Sequence, residues 1–183
     1  FDNLNVLVKR GERVALIGVN GVGKTTLFRV LQGDESLDSG DVFWRSGVRK
    51  GFLDQIHIGE EDVSVRQFFD EVFVDVFALK KRLNVIEETM QTDHSDKILE
   101  QYDRVQTEFI QRGGYTYETE INTFLTKFNF SPSDLDRSLG TFSGGQVTRL
   151  AFIRLLLSKP DILFLDEPTN HLDISTIEWL EGY

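Results

Sequence analysis

The chain has 183 residues, 20 Lys and Arg against 30 Asp and Glu, a formal net charge of −10, 40% hydrophobic residues and no cysteine. This length and composition fit one globular domain with a sizeable core. They exclude a disulfide framework, fit a cytoplasmic protein, and argue against a free-standing, non-specific nucleic-acid binder, which would carry a basic excess.

Phe1 to Lys9 alternates, with Leu4, Val6 and Val8 on one side, and reads as an edge strand. Arg10-Gly11-Glu12 reads as a turn into Arg13 to Ile17 (RVALI), an apolar run suited to a buried parallel strand. Gly18 to Thr26 (GVNGVGKTT) then fits the phosphate-binding pattern G-x-x-x-x-G-K-[ST], with Gly18, Gly23, Lys24 and Thr25 in the fixed places. Thr26 to Gln32 follows with Leu27, Val30 and Leu31 at helical spacing, so the context is strand, glycine loop, helix. Gly21 and Gly23 let the backbone turn tightly and approach a ligand closely. Successive N–H groups and the following helix start favour an anion. Lys24 can reach terminal phosphates as a point charge, and the Thr25 hydroxyl can ligate Mg²⁺.

Gly33 to Gly40 is a polar loop; Asp41 to Trp44 and Arg49 to Leu53 are short strand candidates around Ser46-Gly47. Gln55, just beyond, reads by itself as an ordinary loop residue, and the acidic Gly59 to Asp62 reads as a solvated loop. From Ser64 the period becomes helical, with Val65, Phe68, Phe69, Val72, Phe73 and Val76 on one face and Ser64 with Gln67 as a capping box. Leu79, Leu83, Ile86 and Met90 continue a narrow stripe; Ile98, Tyr102, Val105 and Phe109 form another. Thr92 to Ser95 lies between them, which predicts an antiparallel helical hairpin with His94 as a solvated residue at its tip. Gly113-Gly114 stops the second helix, and Glu118 to Phe128 reads as a further one with Ile121, Leu125 and Phe128 inward. Pro132 and Ser133 break that pattern.

Phe142-Ser143-Gly144-Gly145-Gln146 opens an apolar-periodic helix through Leu150, Ile153 and Leu157. A serine and two glycines at a helix start make a second phosphate-friendly terminus. Lys159-Pro160 ends this helix, and Ile162 to Leu165 (ILFL) reads as a second buried strand. It delivers Asp166 and Glu167 to a strand's C-terminal end, where ligands of open α/β sheets sit. Asp166 can belong to a Mg²⁺ shell, and Glu167 can orient or deprotonate an attacking water. No apolar run reaches the length of a membrane span, and no signal-peptide pattern opens the chain.

The order GVNGVGKTT, Gln55, FSGGQ, ILFLDE and Asp173 resembles an ATP-binding-cassette (ABC) ATPase domain, over essentially the whole chain. Glu167 to Asp173 reads EPTNHLD; with TIEWLEGY after it and Gly113-Gly114-Tyr115 upstream, it resembles the ABC-F subfamily, soluble cytoplasmic ATPases with two cassettes in one chain. The resemblance implies an α/β fold: a P-loop NTPase (RecA-like) core with a parallel sheet, a partial antiparallel β subdomain and an inserted α-helical subdomain. It divides the chain into residues 1–58 and 159–183 for the core and 59–158 for the helical part with its signature helix. It implies ATP and Mg²⁺ as cofactors.

By the same resemblance, Gly18, Asn20, Gly21, Gly23, Lys24, Thr25 and Thr26 belong to the Walker A loop that holds ATP, and Asp166 with Glu167 is the Walker B pair. Gln55 matches the Q-loop glutamine, a sensor of Mg²⁺ and the γ-phosphate. Thr25, Gln55 and Asp166 are the implied metal residues; Glu167, Gln55 and Lys24 are the implied catalytic ones. Ser143, Gly144, Gly145 and Gln146 match the signature, which contacts ATP held by another cassette. Asp173 lies in the loop that crosses that interface, and His171 is not the family's switch histidine. Phe142 stands where leucine is commoner. The adenine-stacking aromatic and the switch histidine have no match here and are expected before Phe1 and beyond Tyr183. The chain is therefore expected to be the first cassette of its protein, cut at both ends and weak or inactive alone.

The implied partners are a second cassette, in the same chain or as a dimer, and the ribosome, with no free DNA. The hairpin occupies the place where ABC-F proteins can carry a ribosome-contacting arm, and it looks short. Two competing readings are the ATP-binding subunit of a membrane transporter, which would add a membrane domain as partner, and a nucleotide-binding module without turnover.

Overall fold

The computed structural model describes residues 4–19, 21–53, 63–166 and 182. Asn20, Gln55, Glu167, His171 and Asp173 lie outside them. The described residues fall into two compact units: those up to Leu53 together with 160–166, and those from 63 to Lys159 together with 182.

In the first unit, helix α1 spans Lys24–Gln32, and strands β1 (Lys50–Phe52) and β2 (Ile162–Phe164) pair in parallel, Lys50 opposite Ile162 and Phe52 opposite Phe164. Side chains close the pairing. Phe52 and Phe164 stack at 4.4 Å, and Phe28 of α1 and Trp44 each set an edge against Phe164. The Asp161 carboxylate accepts from the Arg49 N–H at 2.9 Å and from its Nε at 3.3 Å. Those bonds, the backbone one foremost, hold this carboxyl below the usual carboxylate range. The tie is therefore complete at neutral pH and is lost as pH falls through that lowered value.

The parallel sheet is present, but the other strands read from sequence do not pair. Residues 4–9, Arg13 to Ile17 and Asp41 to Trp44 form no ladder among the described residues. An apolar run becomes a buried strand only when neighbours take its N–H and C=O groups and a layer covers its side chains. Val14 is 63% and Ile17 91% exposed, so RVALI has no such cover among the described residues.

The second unit is helical. Ser64 opens α2 (Val65–Asp70) with the expected box: its Oγ accepts from the Gln67 N–H at 3.2 Å, and its own N–H donates to Gln67 Oε1 at 2.9 Å. A single 3₁₀ turn over Glu71–Phe73 leads into α3 (Val74–Met90). Helix α4 (Asp96–Gln111) returns alongside, burying Val105 and Phe109 against Val76, Leu79, Leu83 and Ile86. Arg112 with Asp75 (2.6 Å) and Tyr102 with Glu87 (3.3 Å) fix the antiparallel register of this hairpin. His94 is exposed at the tip, as expected. Helices α5 (Tyr117–Lys127) and α6 (Gly144–Leu157) pack with α2 around Phe69, Leu125, Phe128, Leu150, Phe152 and Leu156, all fully buried.

Three helix ends follow one scheme. At α4, Gly113 takes φ 77°, the Gly113 N–H reaches Ile110 O at 2.9 Å and the Gly114 N–H reaches Phe109 O at 2.8 Å. This pair of bonds satisfies the last carbonyls and needs a left-handed residue. Gly33 serves α1 and Asn129 serves α5 in the same way. Gly114 is required for a second reason: a Cβ there would enter the Phe109 ring, itself buried and edged by Tyr115. Gly114→Ala should therefore lower stability by about 1–3 kcal/mol through overpacking. Denaturant unfolding of the variant checks this, and an unchanged midpoint would contradict the packing.

Candidate functional site

The glycine loop of the first unit is shaped by its own residues. Gly21 and Gly23 take φ 82° and 103°, conformations that L side chains resist. Gly18 is constrained by space instead, since a Cβ there would lie 2.8 Å from Val22 Cγ1. Sequence reading placed Gly18 by pattern and missed Val22, whose branched side chain is the local signal for that glycine. Gly23 is the N-cap of α1 and has no side chain with which to cap it. The N–H groups of Lys24, Thr25 and Thr26 therefore start the helix with neither an intrahelical acceptor nor a capping oxygen.

The side chains around that start divide opposite charges. Lys24 Nζ donates to Gly18 O at 2.8 Å and to Val19 O at 3.2 Å, and among the described residues it forms no ion pair. Its ammonium is held over the loop by neutral carbonyls, and no described residue cancels its charge. Asp166, two residues past the end of β2, accepts from Thr25 Oγ1 at 2.7 Å. The structure thus brings Gly18, Gly21, Gly23, Lys24, Thr25, Thr26 and Asp166 together. Thr25 and Asp166 offer hard oxygen atoms side by side, a donor pair that fits Mg²⁺ and does not fit a soft metal. No group of three or more His, Cys, Asp or Glu able to hold a metal occurs among the described residues. A cation here would complete its shell from phosphate and water oxygens, as Mg²⁺ does in nucleotide sites.

The other anion-friendly terminus belongs to the helical unit. Ser143 is the N-cap of α6; its Oγ accepts from the Gln146 N–H at 3.4 Å, and its N–H donates to Gln146 Oε1 at 2.9 Å. Gly144 and Gly145 sit at ordinary helical φ, exposed, with nothing within 4 Å of where a Cβ would be. Neither conformation nor packing of the described residues asks for glycine there. Arg149, unremarked in the sequence, donates from Nη1 to Phe128 O at the end of α5 (3.3 Å) and stacks over Phe130, so it fixes α6 against α5. Helical periodicity carries no signal for such a bond.

These features, a glycine loop that leaves a cation and a helix start open and a carboxylate held on the loop threonine, are those of a nucleotide-binding P-loop domain. The profile of the family described as ABC transporter matches residues 1–170, so the chain belongs to the ABC ATPase family. It is 37% identical to ABC transporter F family member 5 of Arabidopsis thaliana, covering 96% of this chain and 26% of that one. It is 38% identical to the putative ATP-binding protein YdiF of Bacillus subtilis, covering 100% of this chain and 29% of that one. With the energy-dependent translational throttle protein EttA of Mycobacterium tuberculosis it shares 33% identity, covering 100% of this chain and 32% of that one. The chain thus spans about a quarter to a third of the length of these relatives. Among solved structures, a putative metal-chelate type ABC transporter in an inward-facing conformation shares the fold with TM-score 0.58 at 20% identity, over 98% of this chain and 59% of that one.

The open space at the α6 start has a measurable consequence. Gly145→Ala should keep or raise stability, by about 0.4–1 kcal/mol, because alanine fits and restricts the unfolded chain. Thermal unfolding reads this, and a fall in melting temperature would show that the glycine serves the fold.

Proposed function

We propose that this chain is the ATP-binding and ATP-hydrolysing cassette of an ABC-F-type protein, working with a second cassette and coupling closure of the pair to ribosome function in the cytoplasm. The observation that carries the ATPase part is the Thr25–Asp166 hydrogen bond beside a Lys24 that forms no ion pair among the described residues. The ABC-F part rests on EPTNHLD at Glu167 to Asp173, on the F-family and translational-throttle names of similar proteins, and on the lack, among the described residues, of a helix able to cross a membrane. In this reading residues 1–58 and 159–183 are the nucleotide-binding core and 59–158 the helical subdomain.

The residues divide the work as follows. Lys24 and the open N–H groups of α1 bind the terminal phosphates; Asn20 and Thr26 complete the loop. Thr25, Asp166 and Gln55 hold Mg²⁺, which supplies charge neutralisation on the phosphate oxygens when bound. Glu167 orients the attacking water and accepts its proton. Ser143, Gly144, Gly145 and Gln146 close over an ATP held by the second cassette, with Asp173 at the interface. Little beyond positioning and charge is needed for phosphoryl transfer.

Lys24→Ala removes a charge-assisted contact and should weaken ATP binding about 10- to 100-fold by titration calorimetry. Unchanged affinity would count against the loop. Glu167→Gln should spare ATP binding, slow turnover strongly and trap the full-length protein on ribosomes in the presence of ATP. Cosedimentation reads the last point. Recovery with a membrane domain and not with ribosomes would favour the transporter reading instead.

A further inference from the structure

Helix α1 carries the start of the glycine-loop site, yet none of its side chains is fully buried among the described residues. A helix not seated by apolar burial depends on separate ties, and α1 is tied to the paired strands of its own unit along its length. Thr25 Oγ1 donates to Asp166, past the end of β2, at 2.7 Å. Phe28 sets an edge against Phe164 of β2, with ring centres 5.8 Å apart. Lys50 Nζ, from the first residue of β1, donates to Leu31 O at 3.3 Å. Residues three apart are neighbours on a helix surface, so Thr25, Phe28 and Leu31 give about one tie per turn.

The Lys50 tie stands on fixed ground. Lys50 pairs with Ile162 across the strands, and Arg49 beside it meets Asp161. Its ammonium lies 4.9 Å from the centre of the Trp44 ring, and Trp44 sets an edge against Phe164. The contacts close a ring from Leu31 through Lys50, Trp44, Phe164 and Phe28 back to α1. At the helix end, Arg29 O and Val30 O accept from the Gly33 N–H, and Leu31 O accepts from Lys50. A cation there also complements the dipole.

We propose that Lys50 is a positioning residue for the nucleotide site: by holding Leu31 it keeps α1 where Thr25 meets Asp166. This rests on the reading of the glycine loop as a site for ATP with Mg²⁺. Phe28 stands midway between Thr25 and Leu31, which are about 9 Å apart along the axis. With Leu31 released, α1 can pivot on the Phe28–Phe164 contact, and its two ends move by similar amounts in opposite directions. A shift of about 1 Å is enough to break the bond from Thr25 to Asp166. Lys24 absorbs such a shift in its long flexible stem; the short side chain of Thr25 does not. Lys50 thus governs the pair of oxygens that would take the metal more than the ammonium that meets the phosphates.

The test measures ATP affinity of the full-length protein by titration calorimetry, with Mg²⁺ and with EDTA, at the site that Lys24→Ala weakens. Lys50→Met keeps the stem and removes the charged donor. It should cut the affinity gained from Mg²⁺ by about 3- to 10-fold, the worth of one hydrogen bond, and leave affinity in EDTA within about twofold. It should also speed hydrogen exchange at the α1 amides of the nucleotide-free protein. Lys50→Arg keeps a charged donor and should restore most of the Mg²⁺ gain. Added to Thr25→Ala, Lys50→Met should cost almost nothing more. Equal loss with Mg²⁺ and with EDTA, or no loss at all, would overturn the proposal. So would Lys50→Arg performing no better than Lys50→Met at an unchanged melting temperature. A wild-type protein whose ATP affinity ignores Mg²⁺, or a Thr25→Ala variant that keeps the full response, would instead strike the reading of the loop as an ATP–Mg²⁺ site.

Discussion

Every helix begins with N–H groups that no carbonyl within it can accept. The helices of this chain meet that demand in different ways. Helix α2 and α6 meet it with serine boxes, and the 3₁₀ turn at Pro132–Asp136 with Ser131 and Asp134. Helix α1 begins at Gly23, which has no capping atom to offer. An uncapped start gains more from an arriving anion than a capped one, because the anion supplies the missing acceptors as well as charge for the dipole. Helices α3, α4 and α5 also start without a side-chain cap, and what sets the α1 start apart is that it coincides with two left-handed glycines and with Lys24.

The helical unit is held by apolar burial and oriented by cations. Burying one large aliphatic or aromatic side chain contributes about 1.5–3 kcal/mol, and α6 buries half of its residues. Three arginines then set rotation rather than affinity. Arg149 stacks on Phe130 and caps α5, Arg154 lies over Phe68 and pairs with Glu71, and Arg137 lies over Phe142 and pairs with Asp134. Each stacking contact is worth about 0.5–2 kcal/mol, and the half-exposed ion pairs less. Their value is directional: they tie α6 to α2 and α5 at separate points, and so fix where Ser143 stands.

Features governed by neighbours in sequence were legible before the fold was known. The box at Ser64, the helix start at Ser143, the glycine stop at Gly113 and the α3–α4 hairpin all depend on contacts within a few residues or on helical period, whereas the box between Ser143 and Gln146 was not read from the sequence. The pairing of β1 with β2 depends on Arg49 meeting Asp161 across 112 positions, and nothing local announces it. RVALI shows the converse. Its composition suits a buried strand, but burial belongs to whatever covers it, and the described residues supply no cover. Asn129 and Lys159, at φ 60° and 51°, end helices as glycine would; only the backbone shows that they carry this role. In the site, pattern named Gly18, Lys24, Thr25 and Asp166. It could not tell that Lys24 rests on carbonyls and that Asp166 rests on Thr25.

That last arrangement has a physical logic of its own. A lysine and an aspartate placed at one strand–loop end would lower their joint energy by pairing, and a pair would present almost no net charge to a phosphate. Here Lys24 takes the carbonyls of Gly18 and Val19, which steady the ammonium without neutralising it. Asp166 takes the Thr25 hydroxyl, which steadies the carboxylate without neutralising that either. Cation and anion are each held by neutral partners, so both charges remain available for an incoming anion and its metal. The glycines shape the loop, and this separation of charge is the feature on which the proposed binding of a phosphate with its divalent cation rests.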